Sequence, residues 1–127
     1  MSDRPSVDAW IAQAKACGED CGMYLVHNGV VRKSSRAKAN TNADTPDVTA
    51  MNVGFDTELI DQAKSETLAM PGIRCVKVWI NQGRLAVGDD IMLVLVGGDI
   101  RSHVTSALLE LVRKLKTLCI REEEIFG

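Results

Sequence analysis

Two groups of cations in this chain are spaced so that they could hold an anion. The first is Arg101 with Lys116, at opposite ends of a stretch in which Val104, Ala107, Leu108, Leu111, Val112 and Leu115 recur at helical spacing. Arg101 would project from the first turn, beside backbone N–H groups without helical partners, and Lys116 from the last. The second is Arg32, Lys33, Arg36 and Lys38, an island of positive charge in an acidic protein. A local concentration of cations without compensating acids favours an anionic ligand, phosphate above all. Arginine forks grip phosphate oxygens, whereas a lysine can change protonation state or form a covalent adduct. Ordinary readings stand beside these: a lysine in a last turn complements the helix dipole, an arginine in a first turn is a solvated surface residue, and a charged loop is simply hydrated.

These residues need elements to hold them. Gly88-Asp89-Asp90 is a turn signal, Ile91 to Val96 an unbroken apolar strand, and Gly97-Gly98 the break before the helix, which Asp99 or Ser102 can cap. Earlier, Val7, Trp10, Ile11, Ala14 and Cys17 mark a short amphipathic helix that Gly18 ends and that should cover one sheet face. Gly22 to Arg32 is strand-like, with a bulge or turn at Asn28-Gly29. From 33 to 47 apolar residues larger than alanine vanish, the composition of a mobile loop. Val48 to Phe55 reads as a strand, and Asp56 to Met70 as a helix capped by Asp56, with Leu59, Ile60, Ala63 and Leu68 inward and Pro71-Gly72 as its stop. Ile73 to Ile80 is a mostly buried strand, and Asn81-Gln82-Gly83 turns the chain towards Leu85 and Val87. The acidic tail from Arg121 to Gly127 should end at the surface. The order α, β, loop, β, α, β, β, α predicts one domain over 1–127, of α+β class, with helices on a mixed sheet.

Composition narrows the function. A net charge of −2 and a pI near 5.6 argue against general nucleic-acid binding, and no window approaches the apolar length of a membrane span. No signal peptide is visible at the N-terminus, so the expected location is cytoplasmic. Cys17, Cys21, Cys75 and Cys119 lack the paired spacing of a zinc site, and most are expected to be small buried hydrophobes in a reducing compartment. His27 and His103 are isolated in sequence, and no protein-bound metal is expected.

Several spacings together resemble one family. Gly22, Gly29 and Val31-Arg32 form a G-x6-G-x-V-R segment, and Val76, Val78, Ile80, Gly83, Leu85, Gly88 and Asp89 form a strand, turn and strand. Arg101-Ser102 and Leu115-Lys116-Thr117 follow within one helix. This pattern, over roughly residues 20 to 121, resembles the large, catalytic subunit of molybdopterin synthase, the MoaE family. The resemblance implies an α/β-hammerhead-like fold and an enzyme that converts cyclic pyranopterin monophosphate, a pterin phosphate, to molybdopterin. Sulfur comes from the thiocarboxylated tail of a small ubiquitin-like subunit, MoaD, and two large subunits form the central homodimer of a heterotetramer. No cofactor is implied.

Carried over by position, Arg32 and Arg101 match arginines associated with substrate and phosphate binding, and Lys116 matches the first of two catalytic lysines. The second, seven residues on, falls on Glu123, or on Arg121 if two residues are deleted. Arginine, always charged, is a poor proton shuttle. Ile100 stands where the family has a histidine, Ile80-Asn81 where it has His-Arg, and the family's C-terminal extension is missing. The alternative implied by these departures is a non-catalytic homologue that serves as a binding or regulatory module.

Overall fold

The strand predicted to be most buried, β5 (Asp90–Gly98), is the centre of a three-stranded sheet, flanked on both sides by antiparallel partners β1 (Met23–Val30) and β3 (Ile73–Ile80). The structure, a computed structural model, describes residues 3–127. Met92 to Val96 are fully buried because both faces of β5 are covered. On one face Met92, Val94 and Val96 join a single core with α3 (Thr57–Leu68) and α4 (Arg101–Lys114), which contributes Val104, Ala107, Leu108 and Leu111. On the other, Trp79, Lys77 and Cys75 of β3 lie beside Leu93, Leu95 and Gly97. There α1 (Val7–Cys17) lies against them, with Ala14 buried and Lys77 donating to Gln13 at 3.3 Å, as the sequence led one to expect of that helix.

A second antiparallel sheet has β2 (Val48–Phe55) at its centre, between β4 (Gly83–Ala86) and β6 (Ile120–Phe126). Met51, Val53, Leu85 and Ile120 bury their side chains in the same core, so the two sheets and the helices make one α+β unit. The expected mixed sheet is thus two antiparallel ones.

Three other expectations need correcting. The acidic tail does end at the surface, with Phe126 and Gly127 exposed, but it is a strand that the predicted order lacked: as β6 it pairs along β2 from Phe55↔Ile120 to Val48↔Phe126, and this long-range ladder outweighs the low strand propensity of three glutamates. Within the 33–47 loop, Arg36–Thr41 forms a short helix, α2. Ser35, 1% exposed, caps it by accepting from the Lys38 N–H at 3.0 Å and hydrogen-bonds Thr45, while the Val48 N–H donates to the Lys33 carbonyl and ties the loop ends together. On α3 the buried stripe runs through Ile60, Ala63 and Thr67, which rotates Leu59 and Leu68 off it to 39% and 49% exposure. Thr67 takes the inward place because its hydroxyl donates to the Ala63 carbonyl at 2.9 Å.

Asp56 caps α3 as expected, accepting from the Leu59 N–H at 3.2 Å. Asp56→Ala should therefore lower stability by about 1 kcal/mol in urea denaturation, with the m-value unchanged. Of the four cysteines only Cys119 is buried, so the reading of most of them as core residues does not hold.

Candidate active site

A cleft of about 380 Å³ opens between the end of β1, α2, β6 and the chain that follows α4. Each cation in it is aimed by local structure. A bulge between Gly29 and Val30 ends the pairing of β1, Val31 is buried and bonded through its N–H and carbonyl to Asp89 and Gly88, and Arg32 is thereby turned outward. Its Nε donates to the Ser34 carbonyl at 3.0 Å, which fixes the guanidinium at the cleft wall. Arg36 opens α2, and its backbone N–H donates to Glu124 at 2.9 Å.

Lys116 does not sit in a last α-helical turn. It lies in a π-helical turn, Leu115–Cys119, that closes when the Ile120 N–H donates to the Leu115 carbonyl. Such turns are rare and concentrate at functional sites. Leu115 and Cys119 are buried, and the Cys119 carbonyl accepts from the Asp56 N–H at 2.9 Å, so the turn is anchored while Lys116 stays exposed towards the cleft.

The cleft thus gathers Arg32, Arg36 and Lys116, together with Glu122 and Glu124 from β6 over a floor that includes Met51 and Ile91. The two glutamates were missed in the sequence. Their signal was the period of two in a strand, visible only once the tail is known to be one: Glu122 and Glu124 face the cleft, and Arg121 and Glu123 alternate to the far side. Arg121 pairs in register with Gly54, and its guanidinium lies over that glycine, with Nη2 2.9 Å from where a Cβ would be. Neither position aligned with the second lysine therefore lines the cleft.

Among the described residues, the buried side-chain atoms His27 Nε2 and Glu122 Oε1 have no hydrogen-bond partner. Glu122 lines the cleft, and His27 is near enough to Lys116 to feel its charge: burial first, then Lys116, pushes the His27 pKa below the ordinary imidazole value. Because the unfolded chain takes up that proton at a higher pH than the folded one, His27 subtracts stability as pH falls below about 6.5 and nothing above it. Lys116→Ala should move the His27 pKa upward in an NMR titration, and an unmoved value would separate Lys116 from this corner of the cleft.

The remaining candidates lie elsewhere. Lys33 pairs with Asp47 at 3.7 Å, both well exposed, and neither it nor Lys38 lines the cleft. Arg101 begins α4, about 22 Å along the helix axis from Lys116 at the usual rise per residue, so the two cannot grip one small anion within a single chain. The expected side-chain cap of α4 is also absent: the N-cap is Ile100, and Asp99 Oδ1 accepts instead from the Ile100 N–H at 2.6 Å and meets His103 Nδ1 at 2.8 Å. That hydrogen bond with His103 holds the Asp99 carboxyl below its usual pKa. No described helix is long and apolar enough to cross a membrane.

The profile of the MoaE protein family matches residues 2–118, most of the chain. This chain belongs to the MoaE family. Membership places it in molybdenum cofactor biosynthesis, with a transferase-type role, and the fold agrees with solved structures of that family. The molybdopterin biosynthesis MoaE protein from Burkholderia ambifaria superposes with a TM-score of 0.74 at 20% identity, covering 99% of this chain and 83% of that one. Molybdopterin synthase from Staphylococcus aureus gives 0.71 at 18% identity, covering 87% and 78%. The complex of subunits 1 and 2 of molybdopterin-converting factor from Helicobacter pylori gives 0.67 at 15%, covering 94% and 76%. Among curated proteins no sequence match reaches significance. The family match stops before β6, so the strand that supplies Glu122 and Glu124 lies beyond it.

Proposed function

We propose that this MoaE-family chain is the catalytic subunit of a molybdopterin synthase, transferring sulfur from a thiocarboxylated small subunit to a pterin phosphate. The observation that carries the reading is the meeting of Arg32 and Lys116, from opposite ends of the chain, on one cleft. In this reading Arg32 and Arg36 hold the phosphate of cyclic pyranopterin monophosphate, Arg32 through paired N–H donors. Lys116, beside them, moves the protons that sulfur addition and oxygen loss require, or forms a transient adduct with the substrate. A MoaD-like ubiquitin-like subunit delivers its C-terminal thiocarboxylate to the open side of the cleft. The Helicobacter pylori relative, whose two converting-factor subunits form a complex, supports that partner.

Arg101 enters the same reading only through a second copy. At the far end of α4 it is remote from its own cleft, and a homodimer offers a way to carry it to the other one. Sedimentation at micromolar concentration should show a dimer, and a monomer there would leave Arg101 without a role in the site.

The test is conversion in vitro, with the purified pyranopterin precursor and thiocarboxylated small subunit, followed as dithiolene product. Product formation that requires both components supports the reading. A folded wild-type protein that binds the small subunit and yields no product would make it a non-catalytic homologue.

A further inference from the structure

Away from the cleft, on the α1 side of the first sheet, three of the four cysteines line a second cavity of about 250 Å³. Cys17 ends α1 and is exposed, Cys21 follows in the short irregular segment before β1, and Cys75 projects from β3. The placement is built by several contacts. Cys75 and Tyr24 both pair in register with Gly97, whose missing side chain lets the Tyr24 ring and the Cys75 Cβ close over the strand. Asp20 pairs with Arg74 at 3.3 Å and Gln13 with Lys77 at 3.3 Å, so the end of α1 and the segment between Cys17 and Cys21 are held over β3. Nothing in the molybdenum cofactor reading uses these thiols.

We propose that Cys17, Cys21 and Cys75 form a thiol–disulfide exchange site that reacts with low-molecular-weight disulfides and closes an intramolecular bond between Cys75 and the Cys17–Cys21 segment. The exposed Cys17 thiolate attacks one sulfur of the small disulfide, forming a mixed disulfide and expelling one thiolate. Cys75, directly or through Cys21, then displaces the second thiolate. Two protein thiols are oxidised, the small disulfide is reduced to two thiols, and the two protons released by the cysteines go to those leaving groups.

The order follows from the surroundings. Burial raises the Cys75 pKa although Lys77 opposes it, and the neighbouring Cys21 and Cys17 raise it further, so Cys75 is the slower, resolving thiol. The segment that must move, residues 18–21, is short and irregular, and Gly18 at its start is extended and unconfined by neighbours. The contacts of α1 described on the sheet, the buried Ala14 and the Lys77–Gln13 hydrogen bond, are non-covalent, and a bond from its end to β3 would fasten the N-terminal helix to the sheet covalently.

The experiment is treatment of the reduced, folded protein with oxidised glutathione, followed by peptide mass mapping without reductant and by melting curves. The expected product is a peptide carrying Cys75 joined to one carrying Cys17 or Cys21, with two equivalents of glutathione released. Cys119 stays free, and the melting temperature rises by about 5 °C, reversibly with dithiothreitol. Cys75→Ser should keep glutathione attached and lose the rise, and Cys75→Ala guards against a serine-specific folding defect. Thiols that all remain free, a glutathione adduct that persists on the wild type, or a bond between Cys17 and Cys21 alone would each overturn the proposal.

Discussion

Lys116→Arg is expected to lower conversion of the pyranopterin precursor by about 100-fold or more while leaving the melting temperature within about 2 °C of wild type. The swap keeps the positive charge and most of the reach, so any role in attracting phosphate or in complementing the end of α4 survives it. It removes the capacity to give up a proton or form an adduct near neutral pH, because a guanidinium stays protonated. The side chain is exposed and the π turn beneath it is fixed by Leu115, Cys119 and the hydrogen bond from Asp56, so the backbone has no reason to respond. Equal turnover by the variant would remove Lys116 from the chemistry and leave it as an electrostatic contact. Melting curves on both proteins exclude misfolding as the cause of a loss.

Gly98→Ala should cost about 3 kcal/mol or leave the chain unfolded, because an added carbon there meets backbone on one side and the core on the other. Gly98 is buried at the end of β5 with strands on both sides, Met23 and Ile73 being its register partners. A Cβ there would stand 2.5 Å from the Gly72 carbonyl oxygen and 2.9 Å from Val104 Cγ2. The first of these is backbone and has no room to yield: Gly72 sits at φ 79, and its carbonyl accepts from the Asp99 N–H at 2.9 Å. The second belongs to the core-facing first turn of α4. Urea denaturation should show the loss, against Gly18→Ala as control. Gly18 is extended at φ −172 with nothing near, so that change should stay within about 0.5 kcal/mol. A Gly98→Ala protein of wild-type stability would mean that the β5 to α4 corner is far softer than its contacts indicate.

The parts of the fold that were legible in the sequence are those whose ends carry their own signal. Gly18 closes α1, Asp56 opens α3, Pro71-Gly72 separates α3 from β3, and the apolar run of β5 needs no partner to declare itself buried. What was hidden depended on contacts distant in sequence. The β6 strand reads as a hydrated acidic tail until β2 is placed beside it, and α2 is too short for periodicity, resting on a buried serine cap and on Thr45. The same division runs through the site. Arg32 and Lys116 were singled out by family resemblance and by charge, and they share the cleft. Arg101 with Lys116 looked like one anion site from spacing alone, but a straight helix keeps its ends apart. Glu122 and Glu124 could be assigned only after the strand phase of the tail was known.

The strand phase of β6 also determines how this cleft can change over evolutionary time. A π turn accommodates one more residue than an α turn, and Leu115–Cys119 carries Lys116 and leads directly into the strand. Loss of one residue from the turn would be absorbed by a return to regular helix, whereas gain of one residue between the turn and Arg121 would shift β6 by one position against β2. Every side chain of the strand would then change sides. Glu122 and Glu124 would leave the cleft, and Arg121 with Glu123 would enter it, exchanging one carboxylate for a guanidinium without any substitution. The charge lining the cleft is therefore set by chain length over a few residues as well as by residue type, so that one inserted residue changes two of its side chains at once.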